Sequence, residues 1–153
     1  RIEMIKKMSA IINEYMVELG KDGVILRMRM RELTRGIETE GELILKDYIP
    51  KSNRAKQFLD ALNFEEILDL ENIAINLFKE PPDKEIMPHG YRILERTNLT
   101  NGEIETLIKG LGNLDAVLNA DDDTLINNLG VRGANFKKEI LNLKEQILIG
   151  KRV

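Results

Sequence analysis

Two glycines and three basic side chains near the C-terminus could together bind phosphate groups. Gly130 and Gly133 lie in a short turn between two segments with helical apolar spacing. Glycine lets the backbone approach a ligand closely because it has no Cβ. A helix that begins at such a turn presents free N–H groups and the positive end of its dipole to an anion. The residues that we predict to contact phosphate are Gly130, Val131, Arg132, Gly133, Lys137 and Lys138.

The charge distribution supports this prediction better than the total charge does. The 153 residues carry a net charge of −3, which argues against a generally basic nucleic-acid binder. From Val131 onward, however, six basic residues face only two acidic ones. The placement of charge, rather than its sum, steers a polyanion, so we expect this tail to face the partner. Its more distant member Lys144 is a weaker candidate contact, and Lys151 and Arg152 lie at the terminus.

Helices must position the turn, and apolar spacing predicts them from the first residues. Between Ile2 and Leu19 apolar residues recur three or four positions apart, and Gly20 stands where a left-handed helix cap belongs. We predict a turn at Lys21–Gly23 and a second helix over residues 24–35. The chain begins at Arg1 inside this periodic pattern, so we expect a fragment or a processed product. No segment has the β-branched alternation of a sheet, so we predict an all-α chain.

Capping signals and a proline pair divide the rest of the chain. Thr39 with Glu42, and Asn63 with Glu66, have the spacing of a capping box. The charged segment around Pro81 and Pro82 is the best linker, since two prolines force extended backbone. We therefore predict a helical linker domain over residues 1–80, a linker over residues 81–89 and a second domain over residues 90–153.

The second domain resembles the tandem helix-hairpin-helix domains of DNA repair and recombination proteins. Gly112-Asn113-Leu114 is similar in form to the Phe-Gly-Ser-Leu turn of that family. The second hairpin follows at Gly130–Gly133, with one residue more between its glycines than the family's Gly-apolar-Gly pattern. In the first hairpin Asn98-Leu99-Thr100 stands in place of that pattern. The resemblance implies weaker DNA contacts there, at Leu99, Thr100, Asn101 and Gly102.

Three further segments narrow the resemblance to one family. Tyr15–Gly20, Leu68–Ala74 and Pro88–Leu94, in this order, look like the linker and C-terminal parts of the bacterial DNA integrity scanning proteins, which are diadenylate cyclases. The resemblance implies an oligomeric spine, an octamer in the family, followed by a domain that binds branched DNA such as recombination junctions. It also implies a cytoplasmic, nucleoid-associated protein.

The family's cyclase chemistry is not expected from these residues. The Asp-Gly-Ala and Arg-His-Arg signatures of the cyclase domain do not occur, and Asp22-Gly23 is followed by valine. The resemblance therefore implies no catalytic residue, metal ligand or cofactor in this chain. ATP and a divalent metal such as Mg²⁺ or Mn²⁺ are implied only for the missing cyclase domain. Cysteine is absent, which excludes disulfides and thiolate metal sites.

The sequence leaves other interpretations open. Asp121–Asp123 invites a metal interpretation, but carboxylates at a helix start explain the run more simply. His89, the only histidine, is expected to pack beside Pro88 and Tyr91. The leading hypothesis is binding of structured or branched DNA without sequence specificity. The rival hypothesis is a structural spacer and oligomerisation module whose hairpins make protein contacts. A glycosylase or nuclease lacks a catalytic constellation.

Overall fold

The computed structural model describes residues 1–49, 52–78 and 86–148 of the chain. Throughout these ranges the regular secondary structure is helical and no strand occurs, so the all-α prediction is confirmed. The chain forms two compact units, Arg1–Glu85 and Ile86–Val153. Most of the predicted linker, residues 81–85 of 81–89, lies outside the described residues, as do Lys151 and Arg152.

The first unit starts with a tight antiparallel pair of helices. Its helices are α1 (Ile2–Glu18), α2 (Gly20–Leu33), α3 (Ile37–Tyr48), α4 (Ser52–Ala61) and α5 (Leu70–Phe78), with a 3₁₀ turn at Glu66–Leu68. Near the loop, a Cβ added to Gly23 would lie only 1.8 Å from the Met16 carbonyl oxygen. Farther along, the Ser9 hydroxyl lies 3.9 Å from the Met30 sulfur. Because Gly23 and Ser9 are small, α1 and α2 can lie side by side.

Two local predictions in this unit are wrong. Residues 21–23 do not form a separate turn, because α2 already begins at Gly20, whose φ of +57° is left-handed as expected. Gly23 serves the close approach of the two helices rather than a turn. Thr39 and Glu42 form no capping box, because α3 begins at Ile37 after Gly36 with φ of +78°. The Glu42 carboxylate instead pairs with Lys56 of α4.

Other polar contacts in the first unit follow the sequence or add to it. Asn63 and Glu66 form the predicted reciprocal capping bonds, both 2.8 Å long. Lys6 of α1 reaches Glu3 at 2.7 Å, Glu38 of α3 at 3.1 Å and Asp60 of α4 at 3.5 Å. Burial lowers the pKa of Lys6, but its bonds to Glu3 and Glu38 outweigh burial and raise that pKa above its ordinary value. Lys6 therefore links three helices as a cation.

The second unit packs short helices around an aliphatic core. Its helices are α6 (Tyr91–Leu94), α7 (Asn101–Leu111), α8 (Leu114–Asn119), α9 (Asp122–Leu129) and α10 (Gly133–Leu148), with a 3₁₀ turn at Gly130–Arg132 between the last two. The most deeply buried side chains of this core are Leu94, Ile104, Leu107, Val117, Leu125 and Ile140. Helices α6 to α10 each supply a side chain to this one core, which positions the two turns described next.

None of the helices in the described residues combines the length and apolar character needed to cross a membrane.

Candidate nucleic-acid interface

The first turn, residues 98–102, leads into α7 and is shaped by a capping box. The Thr100 hydroxyl accepts a bond from the Glu103 N–H, and the Glu103 carboxylate accepts one from the Thr100 N–H at 2.7 Å. The same carboxylate also accepts from the Thr100 hydroxyl at 2.7 Å. These bonds satisfy groups that a helix start leaves without partners. They also keep the Glu103 carboxylate next to the turn.

Arg132 connects the first turn to the second turn, residues 130–133. Its Nη1 donates to both carboxylate oxygens of Glu103, at 2.7 and 2.9 Å. Hydrogen bonds from Thr100, together with this guanidinium, lower the pKa of Glu103 to about 2. The pair is therefore ionic at neutral pH. The structure places Arg132, predicted to contact phosphate, in an ion pair within its own unit.

A second link closes the other side of the same region. The Glu139 carboxylate of α10 accepts bonds from the Asn98 backbone N–H at 2.9 Å and from its side-chain amide at 3.0 Å. Between the turns lies a cleft of about 230 Å³ whose lining residues are Asn98, Leu99, Arg132, Asn135, Phe136 and Glu139. The two predicted turns therefore lie next to each other. The carboxylates of Glu103 and Glu139 lie where they meet and reduce the positive charge of the nearby basic residues.

The tip of the second turn is open to solvent. Gly130 ends α9 with φ of +62°, and a Cβ added to it would have no atom within 4 Å, so glycine is needed here for the left-handed backbone alone. Val131 is 93% exposed, which is unusual for a valine. The extra residue between the two glycines is accommodated by the 3₁₀ turn Gly130–Arg132.

Gly133 has a different structural task from Gly130. It is buried, and an added Cβ would lie 2.6 Å from the Ile126 backbone nitrogen and 2.7 Å from the Leu125 carbonyl oxygen. Gly133 thus lets the start of α10 pack directly on the backbone of α9. Its absent side chain serves helix packing, and its N–H donates to the Gly130 carbonyl within the second turn.

The two lysines after the turn differ in their surroundings. Lys137 is partly buried, donates to the Ala120 carbonyl at the end of α8, and lies 3.8 Å from the Asp122 carboxylate. Its ammonium group therefore supports the junction of α8 and α9. Lys138 is exposed, and no described residue forms a hydrogen bond or an ion pair with its ammonium group. Lys138 is thus the more available cation.

The weaker candidates also separate. Leu99 packs against the core of the unit, and Thr100 is the helix cap. Asn101 and Gly102 are exposed at the N-terminal end of α7, and Lys144 is exposed on α10. Asn101, Gly102 and Lys144 are therefore accessible to a partner, whereas Leu99 and Thr100 have structural roles.

Sequence reasoning missed the residues that connect the two turns. Glu103 stands three positions after Thr100, so the capping-box spacing was sufficient to find that bond. The approach of Arg132 to Glu103, and of Glu139 to Asn98, joins positions far apart in sequence. Those contacts depend on how α7 and α10 pack.

The acidic run and the histidine can also be compared with their predicted roles. Asp121 is the N-cap of α9 and accepts a bond from the Thr124 N–H at 2.8 Å, as the helix-start interpretation predicts. Hydrogen bonds from Thr124 lower the pKa of Asp121 below its ordinary value. His89 lies beside Tyr91, with 6.5 Å between the ring centroids, as expected.

Comparison with known protein families identifies a family for this chain. Residues 1–80 match the family model described as "DisA bacterial checkpoint controller linker region". The chain belongs to this family. The predicted resemblance to the DNA integrity scanning proteins is thereby confirmed for the linker region, which corresponds closely to the first compact unit.

Curated relatives extend the similarity over the second unit. The DNA integrity scanning protein DisA of Streptomyces avermitilis is 33% identical over 93% of this chain and 42% of its own length. The protein of the same name from Clostridioides difficile is 29% identical over 100% of this chain and 46% of its own length. That of Acidothermus cellulolyticus is 35% identical over 93% and 42%. The chain thus spans less than half the length of these relatives. No solved structure shows a significant match.

Proposed function

We propose that this chain binds structured or branched DNA, such as recombination junctions, through phosphate contacts and without reading base sequence. The observation that carries the proposal is the open second turn: Val131 is 93% exposed, and Lys138 follows one helical turn into α10. Backbone N–H groups and lysines fix a protein on the sugar–phosphate backbone but carry no sequence information. The name of the relatives, DNA integrity scanning protein, supports the same class of ligand.

The predicted residues take unequal parts in this proposal. Val131 and its backbone N–H approach the sugar–phosphate backbone, and Lys138 supplies the accessible charge. The N–H groups of Gly130 and Gly133 are not available to a phosphate, because they donate to the carbonyl groups of Ile126 and Gly130. Gly130 and Gly133 act by allowing the turn and its packing, and Lys137 by supporting the junction behind it. Asn101, Gly102 and Lys144 are secondary contacts.

A salt-dependent binding experiment tests the proposal. The full 153-residue chain is titrated into a labelled four-way junction and a linear duplex, with fluorescence anisotropy measured at about 50 mM and about 200 mM salt. We expect the logarithm of the association constant to fall with a slope of about −0.9 per neutralised phosphate. Undetectable or salt-independent binding contradicts the proposal, and equal affinity for junction and duplex removes the preference for branched DNA.

One pair of variants locates the contact. Lys138→Gln is expected to reduce the magnitude of the salt slope by about 0.9 and to weaken binding. Lys109→Gln changes the net charge equally, but Lys109 lies on α7 beside Glu105 at 3.5 Å. An equal loss in both variants assigns the effect to net charge rather than to the second turn.

The chain is further proposed to be the DNA-sensing part of a protein that makes cyclic di-AMP. In this proposal, ATP and a divalent metal such as Mg²⁺ or Mn²⁺ belong to a cyclase domain of that protein. A cytoplasmic, nucleoid-associated location follows from the same proposal.

The alternative function, self-association through the first unit, has its own support. Many large apolar side chains of α1 and α2 are exposed, among them Tyr15 at 67%, Met28 at 66% and Leu33 at 83%. Contiguous exposed apolar surface typically marks a protein interface. Sedimentation of the unaltered chain should show an oligomer, an octamer if the family's assembly is retained, and Met28→Glu should dissociate it while Met28→Leu should not. A monomeric wild-type chain refutes this function.

A further inference from the structure

The ion pair between the two turns joins Glu103, which has further hydrogen bonds, to the more exposed Arg132. The Glu103 carboxylate is held by the Thr100 N–H and hydroxyl, both at 2.7 Å, and its side chain is 24% exposed. The Arg132 side chain is 53% exposed and reaches Glu103 through a single nitrogen, Nη1. Arg132 can therefore leave the pair by rotating its side chain, whereas Glu103 is anchored to the start of α7.

A carboxylate and a phosphate are interchangeable partners for a guanidinium group. Both present pairs of oxygens that accept parallel N–H bonds. Glu103 thus occupies Arg132 in the way that a DNA phosphate at the second turn would. The nearby Glu139 carboxylate already accepts two bonds from Asn98, so the carboxylate in contact with Arg132 is that of Glu103.

We propose that Glu103 competes with a DNA phosphate for Arg132, so that binding at the second turn requires Arg132 to exchange one partner for the other. This inference rests on the proposed DNA binding. It assigns Glu103 the role of a positioning residue that lowers the affinity for any DNA that presents a phosphate at this turn. The net contribution of Arg132 to the binding free energy is therefore the difference between the energy of its ion pair with the phosphate and that of its ion pair with Glu103.

A double-mutant cycle tests the exchange. Glu103→Gln keeps an oxygen that can accept the Thr100 N–H bond but removes the charge that holds Arg132. We expect this variant to bind the four-way junction about two- to fivefold more tightly, the factor that corresponds to breaking an exposed ion pair. In the Arg132→Gln background the same change should give no gain, because no guanidinium is left to release.

A charge-matched variant on the same helix provides the control. Glu105→Gln alters the net charge equally, two residues farther along α7, where Glu105 pairs only with Lys109 among the described residues. The inference is overturned if Glu103→Gln gains no more than Glu105→Gln, or if its gain persists without Arg132. If the wild-type chain binds no DNA, the proposed function fails and this inference fails with it. A binding wild type without the Glu103→Gln gain refutes the inference alone.

The unaltered chain offers an independent readout. With ¹³C-labelled side chains, the Glu103 carboxyl resonance should shift on addition of the junction, while that of Glu105 stays in place. An unchanged Glu103 resonance at saturating DNA shows that the ion pair persists in the complex, which overturns the exchange even if the variants are too unstable to use.

Discussion

Replacing Gly133 with alanine separates the packing of the second turn from its contact with a ligand. The new Cβ would lie 2.6 Å from the Leu125 carbonyl carbon and the Ile126 nitrogen, whereas ordinary contacts begin at 3.4 Å. These atoms belong to the backbone of α9 and cannot rotate away. Helix α10 must therefore move off α9 by several tenths of an ångström, and the second turn moves with it.

The magnitude follows from two opposing effects. Overpacking of a well-packed site costs about 1–3 kcal/mol. Alanine in place of glycine in a helix recovers about 0.5–1 kcal/mol through the unfolded chain and helix propensity. Taking the middle of each range, we expect a net loss of about 1 kcal/mol in the free energy of unfolding of the second unit. For a unit of this size each kcal/mol lowers the Tm by roughly 4–8 °C.

Hydrogen exchange measured by mass spectrometry is the suitable assay, because peptides from α9 and α10 report on the second unit alone. Gly102→Ala is the matched control, since Gly102 is exposed in α7 and has no atom within 4 Å of its added Cβ. That control should be neutral or slightly stabilising. Wild-type protection in Gly133→Ala refutes the packing argument. Unchanged protection combined with lost DNA affinity shows that Gly133 acts at the ligand instead.

Two further predictions concern the capping box of α7. The folded pKa of Glu103 is about 2, below its ordinary value of 4.5, so the ionised carboxylate stabilises the fold fully above about pH 4.5 and this stabilisation is lost as the pH falls toward 2. Over this range the Tm of the second unit should therefore drop less in Glu103→Gln than in the wild type. Equal drops contradict the assigned cause. Thr100→Ala removes the hydroxyl cap and should lower the free energy of unfolding by about 1 kcal/mol, measured as faster amide hydrogen exchange at the N-terminus of α7. The control Thr106→Ala, inside the same helix, should not increase exchange at that N-terminus.

Local features of the fold were predictable because they depend on residues close in sequence. Apolar spacing predicted the first two helices, and capping signals located starts such as those at Asn63 and Asp121. The same local rules failed at Thr39, where the left-handed Gly36 begins the helix three residues earlier than the capping spacing suggested. The positive φ of Gly36 determines where the backbone can enter the helix, and this constraint has a larger effect than the capping spacing of Thr39 and Glu42.

The candidate site was predictable in position but not in its internal contacts. The sequence identified both turns and the basic residues beside the second one. It did not indicate that Lys137 reaches the Ala120 carbonyl, or that Arg132 reaches Glu103. Each of these bonds spans many residues, and its existence depends on the packing of α7, α8 and α10 around a shared core.

For the second turn, the sequence by itself determined the kinds of residue present: two glycines, an apolar tip and following cations. The tertiary structure decided what each one does. Gly130 permits a left-handed backbone, while Gly133 permits contact between two helices. Lys138 is exposed, while Lys137 and Arg132 are engaged by oxygens of their own unit. The physical reason is that spacing along a chain sets periodicity and local caps, whereas the accessibility of a charge depends on which distant groups the packed core places beside it.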